Sequence, residues 1–114
     1  TPETLKGEPL ARLHLDKQFH GPLEAASTGQ MLSYAAAVPG SAVYVAIELV
    51  TGTLEGRKGS FVLHHTGIMD RGAPSLSISV APDSGTEALT GLKGTMQIRI
   101  ESGKHFYDFT YSIA

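Results

Sequence analysis

Two glycine-bearing reversals constrain this chain more than any other feature. Leu54-Glu55-Gly56-Arg57 and Glu101-Ser102-Gly103-Lys104 each lie between two long runs rich in β-branched and aromatic residues. A two-residue hairpin loop needs positive φ, which glycine adopts without steric cost, so both read as tight β-turns. Turn position fixes register, and register fixes which side chains share a face. Pairing Leu54 with Arg57 sets Glu48 opposite Leu63. Tyr44, Ala46, Glu48, Phe61, Leu63 and His65 then lie on one face. Val43, Val45, Ile47, Leu49, Ser60, Val62 and His64 lie on the other. Pairing Glu101 with Lys104 sets Ile100 opposite His105, Ile98 opposite Tyr107 and Met96 opposite Phe109, with Tyr111 beside Gly94. The apolar face of this second hairpin is its core face, and it includes His105.

The rest of the chain repeats the same signal. Strands are expected over 10–19, 23–38, 41–54, 59–69, 75–81, 92–101 and 104–113, with turn residues between them. Helical periodicity is weak throughout. The one helix candidate, Ala35-Ala36-Ala37, stops at Pro39-Gly40. No repeat, linker or low-complexity stretch divides residues 1–114, so a single domain is expected. A meander of this length hides its edges by closing on itself. The expected fold is therefore all-β, a single closed antiparallel up-and-down barrel.

Composition narrows the function classes. A formal net charge of −2 gives no basic field to attract nucleic acid. No apolar run reaches the ~18 residues of a membrane helix. There is no cysteine, which excludes disulfides and thiolate metal sites. The expected location is the cytoplasm, and no cofactor is indicated.

Candidate chemistry collects on the inner face. Glu48, His65 and His105 point inward near one mouth, with Glu48 and His65 as a cross-strand diagonal pair. A carboxylate in an apolar interior has its pKa raised unless a partner holds it charged, and a histidine is a natural partner. Such a pair could act as general base and acid; equally, it could be an inert hydrogen-bonded network that fixes register. Tyr44, Phe61, Leu63, Met96, Ile98, Tyr107, Phe109 and Tyr111 would line a lumen for a small apolar molecule, or simply fill it. His65, His105 and Glu48 form a ligand set that zinc accepts, but adjacent His64 and His65 face opposite ways, and no metal is assigned. His14 and His20 are expected at the surface. Pro82-Asp-Ser-Gly-Thr86 lacks a phosphate-loop pattern; turn chemistry, with Asp and Ser capping and Gly85 in a restricted shape, is expected. No Gly-x-Ser-x-Gly nucleophile elbow is present. Val43, Val45, Ile47 and Leu49 form an apolar row facing outward, and a second subunit is expected to cover it, giving a homodimer.

Several stretches carry a resemblance. Tyr44-Val-Ala-Ile-Glu48, Gly52-Thr-Leu-Glu-Gly-Arg57, Gly59-Ser-Phe-Val-Leu-His-His65 with Gly67, Pro82-Asp-Ser-Gly-Thr86 through Leu89, Gly91 and Gly94, and His105-Phe-Tyr107 with Tyr111 resemble a family of small bacterial proteins described as a domain of unknown function. The likeness runs from about residue 12 to residue 113. The Ser84-Gly85-Thr86 and Gly91-Leu-Lys-Gly94 spacing is also similar to plant allene oxide cyclase and dirigent proteins. That resemblance implies an allene oxide cyclase-like barrel of eight strands with an apolar lumen; it implies no particular reaction. The leading expectation is binding of a small apolar or amphipathic molecule in the lumen, with acid/base isomerase or cyclase chemistry by Glu48 and His65. The alternatives are a non-catalytic carrier or sensor, and an assembly module with a filled barrel.

Overall fold

In the computed structural model the described residues are 3–4 and 10–113, without the side chains of residues 3, 4, 100, 104 and 105. The chain forms β1 (Glu3–Thr4), β2 (Leu10–Phe19), β3 (Leu23–Ala35), β4 (Ala42–Leu54), β5 (Arg57–Asp70), β6 (Ala73–Val80), β7 (Leu92–Glu101) and β8 (Lys104–Ile113). These are seven long strands and one two-residue strand in a single antiparallel sheet, paired in strict sequence order. A three-residue 3₁₀ turn, Glu87–Leu89, is the sole helix among the described residues. No helix there is long and apolar enough to cross a membrane. Ala35 ends β3, short of the expected strand end at 38, and residues 36–40 form a turn; the Ala35–Ala37 helix candidate is not helical. Three alanines cannot offset helix nucleation when Pro39-Gly40 follows.

Both hairpin registers are as the turns dictate. Leu54 pairs with Arg57 and Glu48 with Leu63. Ile98 pairs with Tyr107 and Met96 with Phe109. Glu55, Gly56, Ser102 and Gly103 all take positive φ, the backbone of a primed turn. Arg71 and Gly72 make a third such turn, pairing Asp70 with Ala73.

The sheet is not closed into a barrel. Among the described residues β8 pairs only with β7, so the hydrogen-bonded order ends there. Side chains bridge the seam instead. The Tyr107 hydroxyl donates toward two carbonyls where β2 turns into β3, His20 O in the connection at 3.0 Å and Leu23 O at the start of β3 at 2.9 Å. Its ring meets Phe19 edge-on at 5.4 Å. The β6–β7 ladder is also short, with two pairs, Ile78–Met96 and Ser79–Thr95.

The curled sheet buries its inner face unevenly. Near the Glu55-Gly56 turn, Leu23, Val50, Leu54, Phe61, Leu63, Leu89 and Leu92 are almost completely buried. Each such side chain contributes about 1.5–3 kcal/mol by leaving water. Phe109 stacks on Phe61 at 5.8 Å and tilts against Tyr111 at 5.2 Å. The β6–β7 connection covers this end. Thr86 N donates to Ser60 O, and Ser60 N to Thr86 Oγ1. Ser84 Oγ accepts from Val62 N and donates to Ala81 O. Pro82–Thr86 thus does the turn chemistry its composition suggested. Gly85, however, is required by close approach: a Cβ there would lie 1.9 Å from Leu89 O, while Asp83 takes the positive φ.

Candidate functional site

Inward rows across the sheet place the candidate residues. One row runs Leu15, Gly29, Glu48, Leu63, Val80; the next toward the Tyr44 end runs Leu13, Met31, Ala46, His65, Ile78, Met96, Phe109. Beyond it lie Ala11, Ser33, Tyr44, Gly67 and Leu76. Rows are spaced by two residues, about 6.6 Å along a strand.

Glu48 is fully buried, at 0% exposure, and each of its carboxylate oxygens has a hydrogen-bond partner. His65 Nε2 lies 2.8 Å from Oε1, and the Ser27 hydroxyl donates to Oε2. Lys17 Nζ stands 3.7 Å from Oε1. Lys17 belongs to β2 and must cross β3 to reach Glu48. Gly29 on β3 faces Glu48 without a side chain; a Cβ there would sit 2.1 Å from Ile47 O. Burial raises the Glu48 carboxyl, but the hydrogen bonds from His65 and Ser27 and the charges of Lys17 and His65 outweigh it. The net shift is below the usual carboxylate value, so Glu48 is ionised near neutrality.

An ionised carboxylate only accepts, so His65 Nε2 carries the hydrogen it donates to Glu48. In the neutral imidazole this leaves Nδ1 as a bare acceptor. Among the described residues Nδ1 has no hydrogen-bond partner, and 7% of the side chain reaches solvent. Sequence reasoning found Glu48 and His65 but missed Lys17 and Ser27. Their signal was faint: Lys17 and Ser27 face inward by alternation from Phe19 and Leu23 and pair directly.

The other expected site residues divide between packing and two open hollows. Phe61, Leu63 and Met96 are in the closed core. Tyr107, Phe109 and Tyr111 pack on that core and also line a hollow of about 660 Å³ along the seam, with Phe19 and Leu23. Tyr44 lines a separate, mainly apolar hollow of about 380 Å³ with Met31, Gly67, Met69, Pro74 and Leu76. Its ring lies flat over Gly67, where a Cβ would be 2.0 Å from Cε1, and burial pushes its phenol pKa up. Met31 shares an inner row with His65, and Gly67 is the next inward residue of β5 after His65; neither Glu48 nor His65 lines the hollow itself. Ile98 is exposed beyond the short β6–β7 ladder. His105 pairs with Ile100 through the backbone, and its side chain lies outside the described residues. Among the described residues no three His, Asp or Glu side chains gather as metal ligands. His14, His20 and His64 are exposed.

A family model described as "Protein of unknown function (DUF3224)" matches residues 1–111. A solved structure, a protein of unknown function from the DUF3224 family of Shewanella oneidensis MR-1, superposes with a TM-score of 0.94 at 53% identity. The match covers 100% of this chain and 89% of that one. No curated protein matches the chain. The resemblance to a bacterial family of unknown function is thereby borne out, while the kinship to allene oxide cyclase rests on the sequence spacing alone.

Proposed function

The chain belongs to the DUF3224 family, and from that premise we propose that it binds a small apolar or amphipathic molecule in the Tyr44 hollow, above a Glu48–His65 pair that handles protons. The observation that carries this reading is a fully buried carboxylate held 2.8 Å from a histidine whose inner-face neighbours Gly67 and Met31 line an open, mainly apolar hollow of about 380 Å³. That volume is within the usual range of ligand pockets, roughly 300–1,000 Å³.

The roles within the pair follow from the hydrogen bonds. Glu48 has a hydrogen bond to each carboxylate oxygen, a lysine nearby and a lowered pKa, which make it a poor base. It holds the imidazole in one tautomer and stabilises the imidazolium. The proton is exchanged at His65 Nδ1, which takes it from an acidic C–H or O–H of the ligand and returns it to a neighbouring atom. That is isomerase-type chemistry, and Tyr44 orients the ligand.

One observation favours plain carriage. Ser27, Lys17 and His65 together satisfy Glu48, as a network fixing the register of β2 to β5 would require. Native mass spectrometry of the purified protein separates these readings. An added mass of a few hundred daltons on the wild type, lost in Leu76→Trp and kept in His65→Gln, supports the hollow. Absence of any adduct, with no uptake of an apolar fluorescent probe, overturns it. Conversion of the released ligand by wild type but not by His65→Gln supports proton handling; an unchanged ligand leaves carriage.

A further inference from the structure

The outer face of the sheet is as apolar as an interior. Leu32 and Tyr34 on β3, Val43, Val45, Ile47 and Leu49 on β4, and Ile68 on β5 are all large, apolar and open to solvent; Ile47 is 59% exposed. They are contiguous: Val43 pairs with Tyr34 and Ile68, and Val45 with Leu32. Thr28 and Gln30 flank the row on one side, His64 and Thr66 on the other. In the rows of Leu49, Ile47, Val45 and Val43 the outer positions of β3 to β6 carry no Asp, Glu, Lys or Arg; Asp70, next after Ile68 on this face of β5, and Glu24 and Lys58 lie beyond the two ends. Charge returns on β2, where Arg12 and Asp16 pair with Leu32 and Thr28.

We propose that this face is the two-fold interface of a homodimer, with β4 of each copy packed across β4 of the other and Ile47 nearest the axis. The area is sufficient. Seven partly exposed side chains leave roughly 600 Å² of apolar surface open, the top of the usual range for a monomer's largest patch, and the polar flanks bring it near the ~800 Å² per partner of a stable interface. The charge pattern selects a second copy. An isologous contact sets each patch against itself, and a patch with no charged side chain meets its own image without repulsion. A stripe along an inner strand, bordered evenly on both sides, also matches the near-aligned packing of one sheet on another. Val43 and Ile68 also border the Tyr44 hollow, but the contact does not draw on Glu48 or His65, and the argument for it does not rest on the proposed function.

Sedimentation velocity from about 1 to 100 μM tests it. The wild type is expected at twice the 12.0 kDa of one chain. Ile47→Lys is expected to weaken the dimer by about 100-fold or more while leaving the far-ultraviolet spectrum unchanged. If that variant misfolds, Val45→Thr with Leu49→Thr serves in its place. The chain has no cysteine, so Ile47→Cys reports on the axis directly. Mild oxidation is expected to give a covalent dimer, and Lys58→Cys is expected not to. A monomeric wild type overturns the proposal. So does a dimer indifferent to the β4 substitutions, which would place the contact elsewhere.

Discussion

The two ends of the inner face are built from the same strands and behave as opposites. Toward the Glu55-Gly56 turn, Phe61, Leu63, Leu54 and Leu92 fill the interior, and Leu89 closes it from the β6–β7 connection. Toward Tyr44, the inward positions are Ser33, Ala42, Gly67 and a half-open Leu76, and an apolar hollow remains. The Lys17–Ser27–Glu48–His65 belt lies between them. Alternation gives both ends the same geometry. What separates them is side-chain volume and the presence of a covering loop. A single curled sheet can thus devote one end to stability and leave the other for a ligand.

Substitutions that treat the two ends alike should expose the contrast. Phe61→Ala leaves a closed cavity and is expected to cost about 3–5 kcal/mol in chemical denaturation; Met31→Ala, at the edge of the hollow, is expected to cost under about 1 kcal/mol because water already reaches it. Similar losses at both positions would mean the hollow is not open.

Between the ends, Glu48→Gln leaves Lys17 and His65 facing a neutral amide, at a cost of about 3 kcal/mol. Its effect depends on pH. The Glu48 carboxyl is lowered in the folded chain, so its stabilisation is present above the unfolded value of about 4.3 and is lost as pH falls through the folded value. Wild type should therefore lose stability in acid below that range, and the difference from Glu48→Gln should shrink there. A difference that stays constant with pH would contradict the ionised assignment.

Glycine substitutions give a smaller and more selective comparison. A Cβ on Gly59 would meet Thr86 O at 2.3 Å, a backbone atom that cannot yield without lifting the cover. On Gly67 it would meet the Tyr44 ring, which can swing toward solvent. Gly59→Ala is expected to cost more than about 2 kcal/mol, and Gly67→Ala about 1 kcal/mol with loss of ligand uptake. The smallest effect is expected for Tyr44→Phe, under about 0.5 kcal/mol, because no hydrogen bond ties its hydroxyl among the described residues.

How much of this could be read from the sequence depended on the reach of the signal. Glu55-Gly56 and Ser102-Gly103 are local, and they carried the registers of β4–β5 and β7–β8, hence the Glu48–His65 diagonal. Lys17 and Ser27 escaped because the β2–β3 connection, His20-Gly21-Pro22, is no two-residue turn and left that register open. Closure of the sheet depends on twist summed over all strands, for which no residue is diagnostic; the seam held by Tyr107 was therefore invisible. The covering role of Leu89 had a signal, a lone large apolar side chain in a polar connection, that pattern reading alone did not connect to Gly59.

Nitrogen-15 spectra of the histidine side chains, with His65 assigned by its loss in His65→Gln, test the account at its centre. At a pH where the ring is neutral, an ionised Glu48 requires the hydrogen on Nε2 and a bare Nδ1. A His65 ring protonated at Nδ1 instead would contradict the arrangement and remove the basis for proton exchange at that atom.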